Sequence, residues 1–375
     1  MRKTRQELEK IKEKYNVATL YSWSRYNTYK NSCFEYYLKY ITKTPEDRSD
    51  GIYGISGNAA HNILEKFYSK EITYDEMLPK YEDELFKFNM AELKYDRTNE
   101  EKNKLIAQKY EYCLRHFFQS HNIINKKVEI ERFILIKINN FMFHGYIDFI
   151  FKDGEDVVIV DWKTSSIYTG KKIDKEKGQL ILYAEGLRQL GIKIENIKVL
   201  WNFLKYVTIE VEQANGETKE RHIARNEIGE SLTANAKMWL KKEKIYTDEQ
   251  IENYLDLLKL TNDIKNLPEN IQLKYKIKDC YVNIPFNQEE IDNLKTDIVD
   301  TIADISKKES NYAKTKDENI WWEEVTNNQS YYFANLSGFS AKLHKPYGAY
   351  LDELNKYRNQ TESSNENDLS WLDEI

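Results

Sequence analysis

The stretch from Val128 to Ser165, VEIERFILIKINNFMFHGYIDFIFKDGEDVVIVDWKTS, constrains the fold more than any other part of the chain. It is rich in β-branched and aromatic residues and is broken at Asn139-Asn140 and Asp153-Gly154, which predicts three antiparallel strands joined by tight turns. Val157 to Val160 is an unbroken apolar run, the pattern of a strand buried on both faces. The polar residues Asp161 and Lys163 begin where that run ends. Pairing about a turn at Gly154-Glu155 sets Asp148 opposite Asp161, with Cβ atoms about 5 Å apart. One residue of slip would remove this pairing. Carboxylates that close repel unless a cation lies between them, and hard divalent cations accept oxygen ligands in this way. Strand alternation puts Lys163 on the Asp161 face and Trp162 on the other. A lysine beside a metal-activated water orients or deprotonates it and steadies charge growing on a phosphate, which is the work of phosphodiester hydrolysis.

Around this hairpin the pattern is helical. Residues 1 to 40 read as helices, the second dense in aromatics (LYSWSRYNTYKNSCFEYYLKYI). A glycine-bearing loop then leads into SGNAAHNILEKFYSK, where Ser56 or Asn58 would cap a helix carrying His61 and Glu65 one turn apart on a shared face. Residues 75 to 121 suggest long helices. After the hairpin, GQLILYAEGLRQLG has helical spacing, stops at Gly191, and places Gln179 and Tyr183 one turn apart. KIENIKVLWNFLKYVTIEVEQ returns to strands. From about 226 to 310 the chain reads as helical and polar, followed by an aromatic stretch and a last helix near 346 to 358. These features divide the chain into an α/β core over 1–225, a mainly helical extension over 226–358, and a flexible acidic tail over 359–375.

Composition narrows the function classes. The 375 residues suffice for a sizeable core, and no apolar run approaches a membrane span. The charged N-terminus gives no sign of export, so a cytoplasmic location, in a bacterium or a phage-infected cell, is expected. The three cysteines Cys33, Cys113 and Cys280 form no CxxC pair, which argues against a disulfide framework or a self-contained zinc site. A net charge of -6 argues against general coating of nucleic acid, so a DNA enzyme of this composition needs a local basic groove.

SWSRYNTYKNSCFEYYLKYI, GNAAHNILE, GYID, VDWKTS and QLILYA, in that order, resemble the RecB-like branch of the PD-(D/E)XK nucleases, which includes bacterial recombination exonucleases, CRISPR adaptation nucleases and phage exonucleases. The resemblance implies a restriction-endonuclease-like core, a mixed central sheet flanked by helices, with a mainly helical C-terminal extension. It implies a metal-dependent DNA nuclease, an exonuclease before an endonuclease, serving recombination, repair or phage DNA processing. His61, Asp148, Asp161 and the main-chain carbonyl of Trp162 would bind Mg2+ or Mn2+, with Glu65 binding directly or orienting His61. Lys163 would assist the water, and Gln179 and Tyr183 would position the strand. Arg25 and Tyr29 are candidates for DNA contact. Some relatives hold an iron-sulfur cluster with a cysteine near Cys33 and three later ones. The late stretch here has none, so no cluster is expected, with Trp321, Trp322, Tyr331 and Tyr332 packing in its place.

Each residue also has a plainer reading. An Asp in a hairpin is commonly a turn cap, a histidine on an apolar helical face is commonly core, and aromatics at helical spacing are usually packing. Lys171, Lys172, Lys175 and Lys177 follow the active-site strand and suit phosphate tracking, although charge runs are usually solvated faces. The rival functional reading is an inactive nuclease fold that binds DNA or protein. The terminal SWLDEI on its acidic tether suits docking to a replication or recombination protein.

Overall fold

A computed structural model of the chain describes residues 2–48 and 51–367, with side chains to residue 360. The elements in order are α1 (Arg5–Tyr15), β1 (Leu20–Ser22), α2 (Trp23–Asn31), α3 (Cys33–Tyr36), α4 (Ile52–Tyr68), α5 (Tyr74–Met90) and α6 (Glu100–Ser120). The hairpin strands follow as β2 (Val128–Ile138), β3 (Phe141–Asp153) and β4 (Asp156–Lys163), then α7 (Lys171–Glu176), α8 (Gly178–Gln189), β5 (Ile197–Glu212) and β6 (Thr218–Ala224). The rest comprises α9 (Ile228–Glu243), α10 (Asp248–Thr261), α11 (Glu269–Gln272), β7 (Tyr275–Asn283), α12 (Gln288–Thr315), α13 (Asn327–Tyr331) and α14 (Lys345–Asn367).

All seven strands form one mixed sheet flanked by helices, a restriction-endonuclease-like α/β fold. The β3–β4 ladder runs from Asp153↔Asp156 to Phe149↔Val160 about the turn at Gly154, whose φ of 64° suits the first position of a tight hairpin turn. This is the register read from the sequence, and its next step is Asp148 with Asp161.

The sheet opens at that point. β2 covers one edge of β3 along its length, while β4 and β1 share the other edge: β4 takes Phe149–Asp153 and β1 pairs parallel with Met142–His144. β5 is divided likewise, with β4 beside Ile197–Phe203 and β6 beside Tyr206–Glu212, opposite β7. β4 therefore ends at Lys163 in a cleft where its neighbours diverge, and open α/β sheets bind ligands beyond the carboxyl ends of such strands.

Packing on the two faces explains the apolar run in β4. Val157 and Ile159 enter one core with Leu180, Tyr183 and Leu187 of α8 and Ile298 and Ile302 of α12. Val158, Val160 and Trp162 enter the other with Ala60, Ile63 and Leu64 of α4 and Leu114 and Phe117 of α6. Full burial of each such side chain contributes about 1.5–3 kcal/mol, so β4 is anchored from both sides.

Three local expectations fail. The segment read as helical after 226 contains β7, which joins the central sheet against β5. Its polar alternation, YKIKDCYVN, is that of a strand with one face on the core, masked by helices on either side. α4 begins at Ile52 rather than near Ser56, which is fully buried inside it. The last helix continues to Asn367, since no glycine or proline follows Gly348 to end it. SWLDEI lies outside the described residues.

Candidate active site

The hairpin register and the end of β4 bring the carboxylates together. Asp161 is 5% exposed and Asp148 Oδ2 accepts the main-chain N–H of Trp162 at 3.2 Å, which ties β3 to β4 beyond the regular ladder. The alternation of β3 breaks here: Ile147 packs into the α8-side core and Phe149 into the α4-side core. Across β2, Glu131 lies between the pairs Ile130↔Phe149 and Arg132↔Ile147 with a positive φ of 47°, a bulge-like distortion that re-aims the facing Asp148. Burial, and then the charge of Asp161, push the Asp148 carboxyl well above the usual carboxylate range.

Lys163 Nζ stands 2.6 Å from Asp161 Oδ2, as strand alternation requires. The pair is a close charge contact without hydrogen-bond alignment, so Oδ2 is buried with no hydrogen-bond partner. Burial alone would lower the Lys163 ammonium, but the Asp161 charge outweighs it and holds the group above the ordinary lysine value. Lys163 thus keeps its proton at neutral pH.

His61 reaches the same point from α4. Its Nε2 donates to the Trp162 carbonyl at 2.9 Å, which leaves Nδ1 unprotonated in the neutral ring, facing Asp148 Oδ2 at 3.5 Å. Burial lowers the imidazole pKa and favours that neutral form. Two acceptors facing each other require a proton or a cation between them. Glu65, one turn on, is half-buried, and burial and Glu131 raise its carboxyl.

From α8, Tyr183 lies against β3 and its hydroxyl accepts from Gln179 Nε2 at 3.0 Å. Gly145 makes this possible, because a Cβ there would sit 2.4 Å from Tyr183 Cε1. Burial raises the Tyr183 hydroxyl, and the Asp148 and Asp161 charges add to the effect, so the phenol faces the carboxylate pair in its neutral form. Lys171 and Lys172 are exposed at the start of α7, and Lys172 Nζ sits 4.8 Å over the Tyr168 ring. Arg25 is boxed by the rings of Tyr21, Tyr36 and Tyr40 and donates to the Tyr36 hydroxyl, while Tyr29 donates to Asp304. Arg25 also lies 3.9 Å from Glu309. Trp321 stacks on Tyr36 and Tyr37 in the cluster that includes Cys33, and the cysteine sulfur is 3.2 Å from Lys308 Nζ.

Sequence reasoning missed Glu131 and Arg2. Arg2 Nε pairs with buried Glu131 at 2.7 Å, and both charges act on Asp148 and Glu65. The signal for Glu131 was available: pairing β2 with β3 about Asn139-Asn140 sets it across from Asp148. Arg2 carried no signal, since it reaches the site only through the folded N-terminus.

A family model described as the PD-(D/E)XK nuclease superfamily matches residues 21–318, from β1 to α12 and its following turn, and so includes every carboxylate, imidazole and lysine just placed, while Arg2 lies outside it. The chain belongs to the PD-(D/E)XK nuclease superfamily. A search for similar curated proteins found no match. Nucleases of this superfamily generally use divalent cations such as Mg2+ or Mn2+. In this nuclease the buried Asp161 carboxylate, the raised Asp148 carboxyl and the facing His61 Nδ1 form a donor set that suits such an ion. Among the described residues, no three His, Cys, Asp or Glu side chains already converge as a metal-binding group: His61 Nε2 is turned to the Trp162 carbonyl and Lys163 closes on Asp161. No helix among the described residues is long and apolar enough to cross a membrane.

Proposed function

We propose that this nuclease is a DNA exonuclease of the RecB-like branch that hydrolyses phosphodiester bonds with Mg2+ or Mn2+ in recombination, repair or phage DNA processing. The observation that carries the reading is the meeting of Asp148, Asp161, Lys163 and His61 at the open end of β4. Asp148, Asp161, neutral His61 and the Trp162 carbonyl would hold the cation, with Glu65 orienting His61. When bound, the cation supplies Lewis acidity toward the scissile phosphate and toward an attacking water. Lys163, kept protonated by Asp161, offers its charge to the phosphate oxygens as negative charge accumulates on them. Gln179 and Tyr183 form a neutral hydrogen-bonding wall on the α8 side and orient the strand. Arg25, Tyr29, Lys171 and Lys172 are the proposed DNA contacts, and the terminal SWLDEI the proposed partner contact. A cytoplasmic setting follows from this role.

The reading is tested with end-labelled linear and closed circular DNA and RNA, single- and double-stranded, with Mg2+, Mn2+ or EDTA. Metal-dependent loss of linear DNA alone, absent in Asp161→Ala, is expected. Cutting of circles would make the protein an endonuclease, and a wild-type rate in Asp161→Ala would refute the mechanism. One observation favours the rival, an inactive module that binds DNA or protein: the donors do not yet converge among the described residues. Calorimetry with Mn2+ separates the two, because a degraded site binds none.

A further inference from the structure

Behind Lys163 lies a cavity of about 960 Å3, walled by Tyr53 of α4, Lys109 and Tyr110 of α6, the segment Thr164–Ser166, and Lys205 of β5. Lys205 is its distinctive group. The parallel register runs to Lys163↔Phe203, and an irregularity in β5 between Asn202 and Val207 leaves Lys205 turned to the α6 side, where Thr164–Ser166 follow the end of β4 along the same cavity. The Lys205 carbonyl is fixed by the Arg225 N–H at 2.9 Å, while its ammonium lies 4.4 Å over the Tyr110 ring. Among the described residues no carboxylate reaches ion-pair distance of Lys205 or of Lys172, which also lines the cavity. The lining carboxylate Glu227 is engaged by Lys109 at 3.5 Å. Ser165 Oγ and the Tyr110 hydroxyl are buried there without a well-aligned hydrogen bond, with Tyr168 beside the first and Thr164 and Ser56 beside the second.

A cation held away from water without a counter-charge is costly, and its burial drives the Lys205 ammonium down to about 8. A protein with net charge -6 has nonetheless gathered three lysines against one carboxylate around a single cavity, with hydroxyl groups beside them. An anion with several acceptor oxygens satisfies all of these groups together.

We propose that this cavity is a phosphate-binding subsite for a nucleic-acid strand, with Lys205 and Ser165 holding a phosphate other than the one that is cut. It rests on the nuclease reading for the identity of the phosphate's carrier. Tyr53 and Tyr331, on the same cavity wall, supply aromatic faces to the adjoining nucleoside. The cavity supplies the local basic groove that the acidic composition demands.

The test reads binding without cleavage. Full-length protein in EDTA is titrated with a short labelled single-stranded oligonucleotide, and anisotropy is compared for wild type, Lys205→Met, Ser165→Ala and the exposed control Lys241→Met, with thermal melting of each. Lys205→Met should bind about tenfold more weakly or worse, because a charge-assisted contact is lost. It should melt no lower than wild type, since an uncompensated buried charge has been removed. Ser165→Ala should weaken binding about threefold or more and Lys241→Met less than about twofold. Inorganic phosphate, at matched ionic strength, should displace the oligonucleotide from wild type and not from Lys205→Met. Wild-type affinity in Lys205→Met, or a loss there that follows a lowered melting temperature while Ser165→Ala binds normally, overturns the proposal. A wild type that binds through Lys205 but cuts nothing with Mg2+ or Mn2+ refutes the nuclease reading alone. One that cuts DNA, with affinity intact in Lys205→Met, refutes the subsite alone.

Discussion

Replacing Gly145 by alanine drives a methyl group into Tyr183. The added carbon would lie 2.4 Å from Tyr183 Cε1 and 2.9 Å from its hydroxyl oxygen, where relaxed contacts between carbons are about 3.5–4.0 Å, so ring or strand must move by about 1 Å. The ring is 5% exposed within the α8-side core and has no solvent to swing into. The strand is held too, with Gly145 paired to Ile134 on β2. Gly145 is not in the left-handed region, so the backbone admits a side chain and only the ring opposes it. Overpacking of this kind costs about 1–3 kcal/mol. Urea denaturation of Gly145→Ala, Tyr183→Ala and the double variant isolates the term. Once the ring is gone the methyl has room, and its cost should fall below about 0.5 kcal/mol, a coupling of about 1–3 kcal/mol. DNA cleavage well below the melting temperature should fall in Gly145→Ala as well, because Gln179 moves with the Tyr183 hydroxyl it donates to. An equal stability loss in both backgrounds would refute the reasoning and place the strain in the backbone.

Asp148→Asn removes one of two repelling carboxylates from a buried site while keeping an acceptor for the Trp162 N–H, so it should melt at or above the wild-type temperature and cut no DNA; a clearly lower melting temperature would contradict the account of Asp148. Mn2+ at about 100 times its dissociation constant should stabilise the wild type by about 2.7 kcal/mol in thermal unfolding, and leave Asp161→Ala unchanged. Far from the site, Asp279 of β7 bridges buried Arg225 at 2.5 Å and His121 Nδ1 at 2.6 Å. Burial would raise its carboxyl, but these partners hold it below the usual aspartate range, so its contribution is present above the unfolded value of about 3.9 and lost as pH falls through the lower folded value. Asp279→Asn should cost about 3–5 kcal/mol near neutral pH by stranding Arg225, and should flatten the acid limb of a pH–stability curve; an unchanged acid limb would assign that transition to other carboxylates.

The hairpin was legible because its information is local. Gly154 with β-branched runs on both sides determines a register, and the register alone sets Asp148 toward Asp161. α8 was legible for the same reason, with Gly191 as its stop. What escaped depends on long-range pairing. β1 is too short to carry a pattern, and β7, between helices, owes its strand form to β5, dozens of residues earlier in the chain. The aromatics of α2 and α3 show why composition alone does not separate packing from ligand contact: Tyr29 packs on Tyr36 and Tyr36 on Trp321, while the Arg25 guanidinium lies among such rings. Lys205 escaped for a different reason. A lysine in LWNFLKYV reads as the polar face of a strand, and only the fold reveals that the face opens into a cavity without a carboxylate for it.

The divided edges of β3 and β5 explain why chemistry and strand binding fall side by side. Had β4 continued past Lys163, the same register would have carried it along Gly145 and His144, onto the edge of β3 that β1 takes. By ending there, with β1 and β6 taking the remaining edges, it leaves Asp161 and Lys163 on one lip and Thr164–Ser166 turning into the cavity on the other. Both the carboxylate pair and the Lys205 ammonium are then held by strands anchored on two cores, so neither position depends on a mobile loop. The two sites also carry opposite unbalanced charge. One calls for a cation and the other for an anion, the two charges that a metal-assisted cut through a phosphodiester strand brings together.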